Sequence, residues 1–202
     1  MIALRRGLAL TAALLLVTAC GDDDATPKAL SGYELLPAPS VAAIAVPDAS
    51  DADASFPMMA DEGQLLVVYF GYTSCPDVCP TTLAEVKKAF TQLGDRSDRV
   101  DVAMITIDPN RDTGEILTGY VQSFLPRAHA LRTEDADTLQ AAADAFGASF
   151  SVNTTADGTV EVSHSAAMYV VDSAGSVVLT WPFGIPADGI ADDLDILFGR
   201  MS

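Results

Sequence analysis

Apolar residues fall along this chain in two kinds of block, unbroken runs and runs spaced at helical intervals, and the two kinds alternate. Residues 65–70, Leu-Leu-Val-Val-Tyr-Phe, are an unbroken run closed by Gly71, the pattern of a strand buried on both faces. Leu83, Val86, Phe90 and Leu93 then recur at helical spacing as far as Gly94, which predicts a helix with one apolar stripe. A second run that reads as buried, apolar but for Asp101 and Thr106, covers 100–107. Two further helical stripes follow: Ile116, Leu117, Tyr120, Val121 and Phe124 before Pro126, and Ala136, Leu139, Ala143 and Phe146 before Gly147. A short strand is expected between them, around 128–131. Near the C-terminus, 168–171 and 177–181 read as a hairpin across Asp172 to Gly175, and Ile190, Leu194 and Leu197 mark a last helix from about Ala187. Ahead of all this, 31–63 carries short apolar clusters broken by prolines and Asp/Ser turns, which predicts an extension of short edge strands. The order is that of an α/β fold: parallel strands joined by right-handed crossovers, then an antiparallel hairpin that makes the central sheet mixed, with helices on its flanks.

The N-terminus follows neither pattern. Arg5 and Arg6 precede an apolar run from Leu8 to Ala19 that is shorter than the ~20 residues a spanning helix needs. This is the layout of a secretory signal peptide. Thr18-Ala19-Cys20-Gly21 is similar to a bacterial lipobox, in which the cysteine becomes the lipidated first residue of the mature chain; ordinary cleavage beside an unmodified Cys20 is the alternative. The expected organisation is a lipoprotein signal peptide over 1–19, an acidic lipid-anchored tether over 20–30 and one domain over 31–202. Such a chain is exported and held on the outer face of the bacterial cytoplasmic membrane.

Composition narrows the function. Among 202 residues, 11 Lys+Arg stand against 28 Asp+Glu for a formal net charge of −17. Nucleic acid is thereby excluded as a partner, because phosphate binding needs a basic face. Loss of the leader removes two of the arginines and deepens the acidity. Three cysteines are too few for a disulfide scaffold. With Cys20 assigned to the anchor, Cys75 and Cys79 remain for the domain.

Those two stand in Gly71-Tyr-Thr-Ser-Cys75-Pro-Asp-Val-Cys79-Pro80, between the first core strand and the first helix. The carboxyl end of a strand in an α/β sheet is a favoured place for a site. Either Pro80 takes the first helical position or the helix starts at Thr82, with Glu85 completing a capping box. In both cases Cys79 lies within about a turn of the positive helix end, which favours the thiolate that serves as nucleophile and as metal ligand. The usual redox spacing has two intervening residues; here there are three, enough for both sulfurs to turn toward one ion. A third ligand would be one of two histidines. His129, on the short strand, reads as a satisfied imidazole. His164 precedes the strand at 168–171, and in a thioredoxin-like sheet that loop faces the cysteine loop. Two thiolates and an imidazole suit Cu(I) better than structural zinc, which takes four protein ligands. A thiol–disulfide oxidoreductase using Cys75 and Cys79 is the alternative, and a peroxidase is weaker because no arginine is evidently placed for it. Met58-Met59 reads as packing, and Tyr72 as a wall of the site.

Three blocks, GYTSCPDVCP followed by TTL, ITIDPNRDT at 105–113 and VSHSAAMYVVDSAG at 162–175, resemble the signature blocks of the Sco/SenC family in order and spacing. The resemblance runs from about residue 32 to 198. It implies a thioredoxin-like fold, an exported or membrane-tethered location, and copper delivery to, or thiol reduction at, the dinuclear copper-A centre of cytochrome c oxidase. The implied metal ligands are Cys75, Cys79 and His164, the metal Cu(I) and also Cu(II), with Cys75 and Cys79 a redox-active pair. Asp108 corresponds to an acidic position of the family, with a role beside the ligands or toward a partner. Ser163 stands where the family often has an acidic residue before the histidine. The implied partners are the copper-A subunit, an upstream copper donor and a thiol reductant, and a lipid on Cys20 replaces the spanning helix of many relatives.

Overall fold

The computed structural model of the chain describes residues 28–201. The expected signal peptide, Cys20 and most of the tether lie outside the described residues. The unbroken runs become the centre of a mixed sheet. β3 (Leu65–Gly71) pairs in parallel with β4 (Val100–Thr106), and β4 with the short β5 (His129–Leu131). On the other side of β3 lie β8 (Met168–Val171) and β9 (Val177–Trp181), both antiparallel. The N-terminal extension supplies the far edge, β1 (Ala45–Asp48) against β5 and β2 (Ala54–Pro57) outermost, so the order is β2-β1-β5-β4-β3-β8-β9. The α/β reading, its mixed sheet and its short N-terminal strands are borne out.

Every residue of β3 is buried, and alternation divides its side chains between two layers. Leu65, Val67 and Tyr69 face α1 (Val78–Leu93), α2 (Gly114–Phe124) and α4 (Ala187–Arg200), while Leu66, Val68 and Phe70 face α3 (Ala136–Phe146) and the N-terminal extension. Met58 lies wholly in this second layer, which agrees with reading it as packing. Asp135 caps α3 through the Asp137 and Thr138 N–H groups, and Gly147 closes it at φ 67°, a left-handed conformation that favours glycine.

His129 belongs to the join between extension and sheet. Its Nδ1 lies 2.6 Å from the buried Asp48 carboxylate, which also accepts the Ala130 and Ser50 N–H groups. The expected satisfied imidazole is what the structure holds. Two expectations differ in detail. α1 begins at Val78, ahead of Pro80; a proline fits within the first turn because the N–H it lacks would have no partner inside the helix. The capping box at Thr82 does not form, since Glu85 accepts the Ala187 N–H at 3.0 Å and pairs with Lys88. A hairpin absent from the sequence reading also stands apart from the main sheet, β6 (Phe150–Thr154) with β7 (Val160–His164).

Candidate metal centre

Two elements distant in sequence build the site. From β3 the chain turns through 72–77 into α1, and the turn places Cys75 Sγ 3.3 Å from the Cys79 backbone N–H, which donates to it. Cys79 itself is wholly buried, between the first turn of α1 and the end of β3. Gly71 makes this close fit possible: a Cβ there would stand 3.1 Å from Cys79 Sγ and 2.8 Å from the Tyr69 ring. From the other side, β7 ends on His164, with Nε2 at 3.9 Å from Cys79 Sγ. One ligand atom from each of Cys75, Cys79 and His164 lies within 4.8 Å of the others, and together these atoms can hold a metal ion.

The electrostatics of the three donors differ. Burial pushes the Cys75 thiol up, but the Cys79 N–H and neighbouring donors outweigh it and hold Cys75 below the ordinary thiol range. Cys79 is deeper, and burial, only partly offset by the Tyr69 hydroxyl, pushes it up to about 12. Burial also lowers His164, favouring neutral imidazole, against the opposing pull of its hydrogen bond to the Ser165 carbonyl. That bond, 3.0 Å from Nδ1, requires the proton on Nδ1 and leaves the Nε2 lone pair free toward the sulfurs. The imidazole is therefore oriented by a backbone carbonyl, and no carboxylate at position 163 is needed. Tyr72 and Tyr69 meet the ring edge-on at 5.9 and 6.2 Å, which places Tyr72 in the wall as expected.

Asp108 is buried, but its carboxylate pairs with Arg111, whose guanidinium lies 6.0 Å from the centre of the Tyr72 ring. Asp108 thus reaches the site through Arg111 and Tyr72, and is not among the residues grouped around the sulfurs. A second carboxylate in the same block does more. Asp112, with no exposed surface, accepts the Thr73 N–H at 3.0 Å and the Thr73 and Thr106 hydroxyls at 2.5 Å each. It latches the cysteine loop to the end of β4. Sequence reasoning passed over Asp112 because two aspartates four apart after a strand look alike until the turn is folded. The opening to solvent is lined by Tyr72, Cys75, Pro76, Val162 and His164, so Cys75 faces it while Cys79 lies behind.

A thioredoxin-like fold that brings two cysteines and a histidine together at the strand–helix junction defines a thioredoxin-like protein with a Cys₂His candidate metal site. The family profile described as SCO1/SenC matches residues 51–198. The chain belongs to the SCO1/SenC family. A SCO2-like protein of Rickettsia prowazekii is 32% identical over 132 residues, 64% of each chain. The chain spans about half to two thirds of the length of the curated bacterial relatives it matches. Among solved structures, apo Sco1 of Thermus thermophilus superposes with a TM-score of 0.73 at 28% identity, covering 85% of this chain and 99% of that one. ScoI of Bradyrhizobium japonicum, solved with copper bound, gives 0.65 at 26% identity, covering 83% and 99%.

Proposed function

We propose that this chain is a copper-binding metallochaperone that delivers copper to the copper-A subunit of cytochrome c oxidase and reduces that subunit's cysteines before loading. The observation that carries the reading is the convergence of Cys75, Cys79 and His164 on one point, in a family with copper-bound members. Cu(I) is the cargo. Cys75 and Cys79 hold it as thiolates and His164 as a neutral imidazole through Nε2, a soft trigonal set without a fourth protein donor. Binding displaces the thiol protons, above all that of Cys79, so affinity falls as pH falls. Delivery is ligand exchange: an acceptor thiolate enters at the open Cys75 side, and copper stays Cu(I) throughout. Asp108, with Arg111, has a supporting role beside the site.

The location follows from the leader. Residues 1–19 act as a lipoprotein signal peptide, Cys20 carries the lipid, 20–30 tether and 31–202 form the domain, so the protein works on the outer face of the cytoplasmic membrane. An upstream copper donor and a thiol reductant complete the cycle. A second reading, a thiol–disulfide oxidoreductase, is favoured by one observation: the thiol at the opening, Cys75, is the more acidic and the enclosed Cys79 the less acidic, as attacking and resolving thiols are. The test is transfer from the copper-loaded protein to a reduced, copper-free copper-A domain. Uptake of two Cu(I) per copper-A domain, giving copper-A absorption once ferricyanide removes one electron from the loaded site, supports delivery. Reduction of an oxidised domain by a protein that ignores copper would put the oxidoreductase first.

A further inference from the structure

The enclosed side of the cysteine pair holds a hydrogen-bond donor that copper ligation leaves unassigned. Tyr69 lies within β3 and has no exposed surface. Its hydroxyl donates to Cys79 Sγ at 3.3 Å, and the same ring packs edge-on against His164. As a phenol the hydroxyl carries its proton at neutral pH, and the geometry makes it a donor to Cys79. Cys75 receives its hydrogen bonds differently, from the Cys79 and Asp77 backbone and from Tyr72, which is partly exposed at the opening. Water can take the place of a hydroxyl at Tyr72. It has no such access at Tyr69, so the bond to Cys79 is the one the protein alone controls.

A hydrogen bond to a coordinating thiolate draws electron density from sulfur and so adjusts the metal–sulfur bond and its potential. We propose that Tyr69 is a positioning residue for the copper cargo: its hydroxyl orients Cys79 Sγ beside His164 and sets how strongly that sulfur donates to copper. The proposal rests on the copper reading of the site. Its chemistry is confined to one O–H and one sulfur, and the phenol neither ligates the metal nor gives up its proton.

The test uses the Cu(II)-loaded full chain and reads the sulfur-to-copper charge-transfer absorption. Tyr69→Phe removes only the hydroxyl, raises the energy of the sulfur lone pair and moves the band to longer wavelength. A ring-fluorinated tyrosine at position 69 is a stronger donor of the same shape and moves it to shorter wavelength. Tyr72→Phe gives a smaller shift than Tyr69→Phe. Opposite shifts from two such variants are not produced by altered packing. A Tyr69→Phe band that coincides with the wild type at one copper per chain overturns the proposal; if that variant does not fold, an unmoved band in the fluorinated protein does so.

If the wild-type protein ignores copper, the copper reading fails separately, and Tyr69 is judged on the metal-free thiols. Cys75 and Cys79 give two electrons and two protons to one glutathione disulfide, forming the protein disulfide and two glutathione molecules. Loss of the hydroxyl removes a stabiliser of the reduced sulfur and shifts that equilibrium about threefold toward the protein disulfide. No shift overturns the proposal there too.

Discussion

The two halves of the site are built to different standards. The cysteine half stands on β3, which is buried along its whole length. It is latched by Asp112 to β4 and fitted over Gly71 so closely that a methyl group has no room. The histidine half stands on β6 and β7, which pair with each other and keep much of their surface in water. Its base is closed by the Ser165 N–H to the Ser149 carbonyl at 2.8 Å and the Ser149 N–H to Ser165 Oγ at 3.1 Å, and it packs on the body of the fold through the Tyr69 and Tyr72 rings and through the part-buried Phe150 and Val162. Few buried apolar contacts and exposed backbone bonds mark the part of a fold that opens most readily. The difference suits the proposed carrier role, in which two thiolates on a fixed base would retain the cargo and the ligand on the weaker element would be the one exchanged without disturbing the fold.

The largest effect breaks the fixed half. Cys75→Ser and Cys79→Ser, singly or together, abolish tight Cu(I) binding in competition with a chromogenic chelator, whereas His164→Ala leaves measurable but weaker binding. Equal losses in all three variants would erase the distinction between the halves. Next in size is the latch. Asp112→Ala strands three donors in a buried site and lowers unfolding free energy by about 2–3 kcal/mol in urea titration. Gly71→Ala forces Tyr69 and Cys79 apart at a cost of about 1–3 kcal/mol, seen in the same titration. On the histidine side, Val162→Ala is expected to cost under ~1 kcal/mol, because Val162 is already part-exposed.

The thiols themselves sharpen the contrast by pH. Cys75, held below the ordinary thiol range, is alkylated by iodoacetamide at neutral pH, and its rate levels off once its thiolate is fully formed. Cys79, pushed up to about 12, reacts only as pH climbs toward that value. Mass mapping of the modified peptide across a pH series checks both. Native-state hydrogen exchange gives the smallest and most direct comparison of the halves: amides of 150–164 exchange well before those of 65–71.

How much of this the sequence carried follows from where burial is continuous. β3 and β4 lie between two layers, so their apolar runs were plain, and the cysteine pair was placed by its position after β3. The hairpin carrying His164 lies outside the buried runs because its strands are short and largely exposed; the alternation Val160-Glu161-Val162-Ser163 and the Asp157-Gly158 turn are its local signals. The start of α1 was misplaced because Pro80 looks like a first residue when it is a first-turn residue. Asp108 stood out beside Pro109, yet the carboxylate that reaches the cysteine loop is Asp112, a distinction that exists only after the 107–113 turn closes. The Ser165 carbonyl that orients His164 is backbone, and no residue type announces it.

The proposed function requires one copper ion among Cys75, Cys79 and His164. The measurement that meets it directly is X-ray absorption on the reduced protein loaded with Cu(I), with metal content determined on the same sample. The expected result is one copper per chain with two sulfur neighbours and one nitrogen, the nitrogen disappearing in His164→Ala. Copper retained in full by a Cys75→Ser, Cys79→Ser double variant, or a reduced wild-type protein that takes up none, would contradict it.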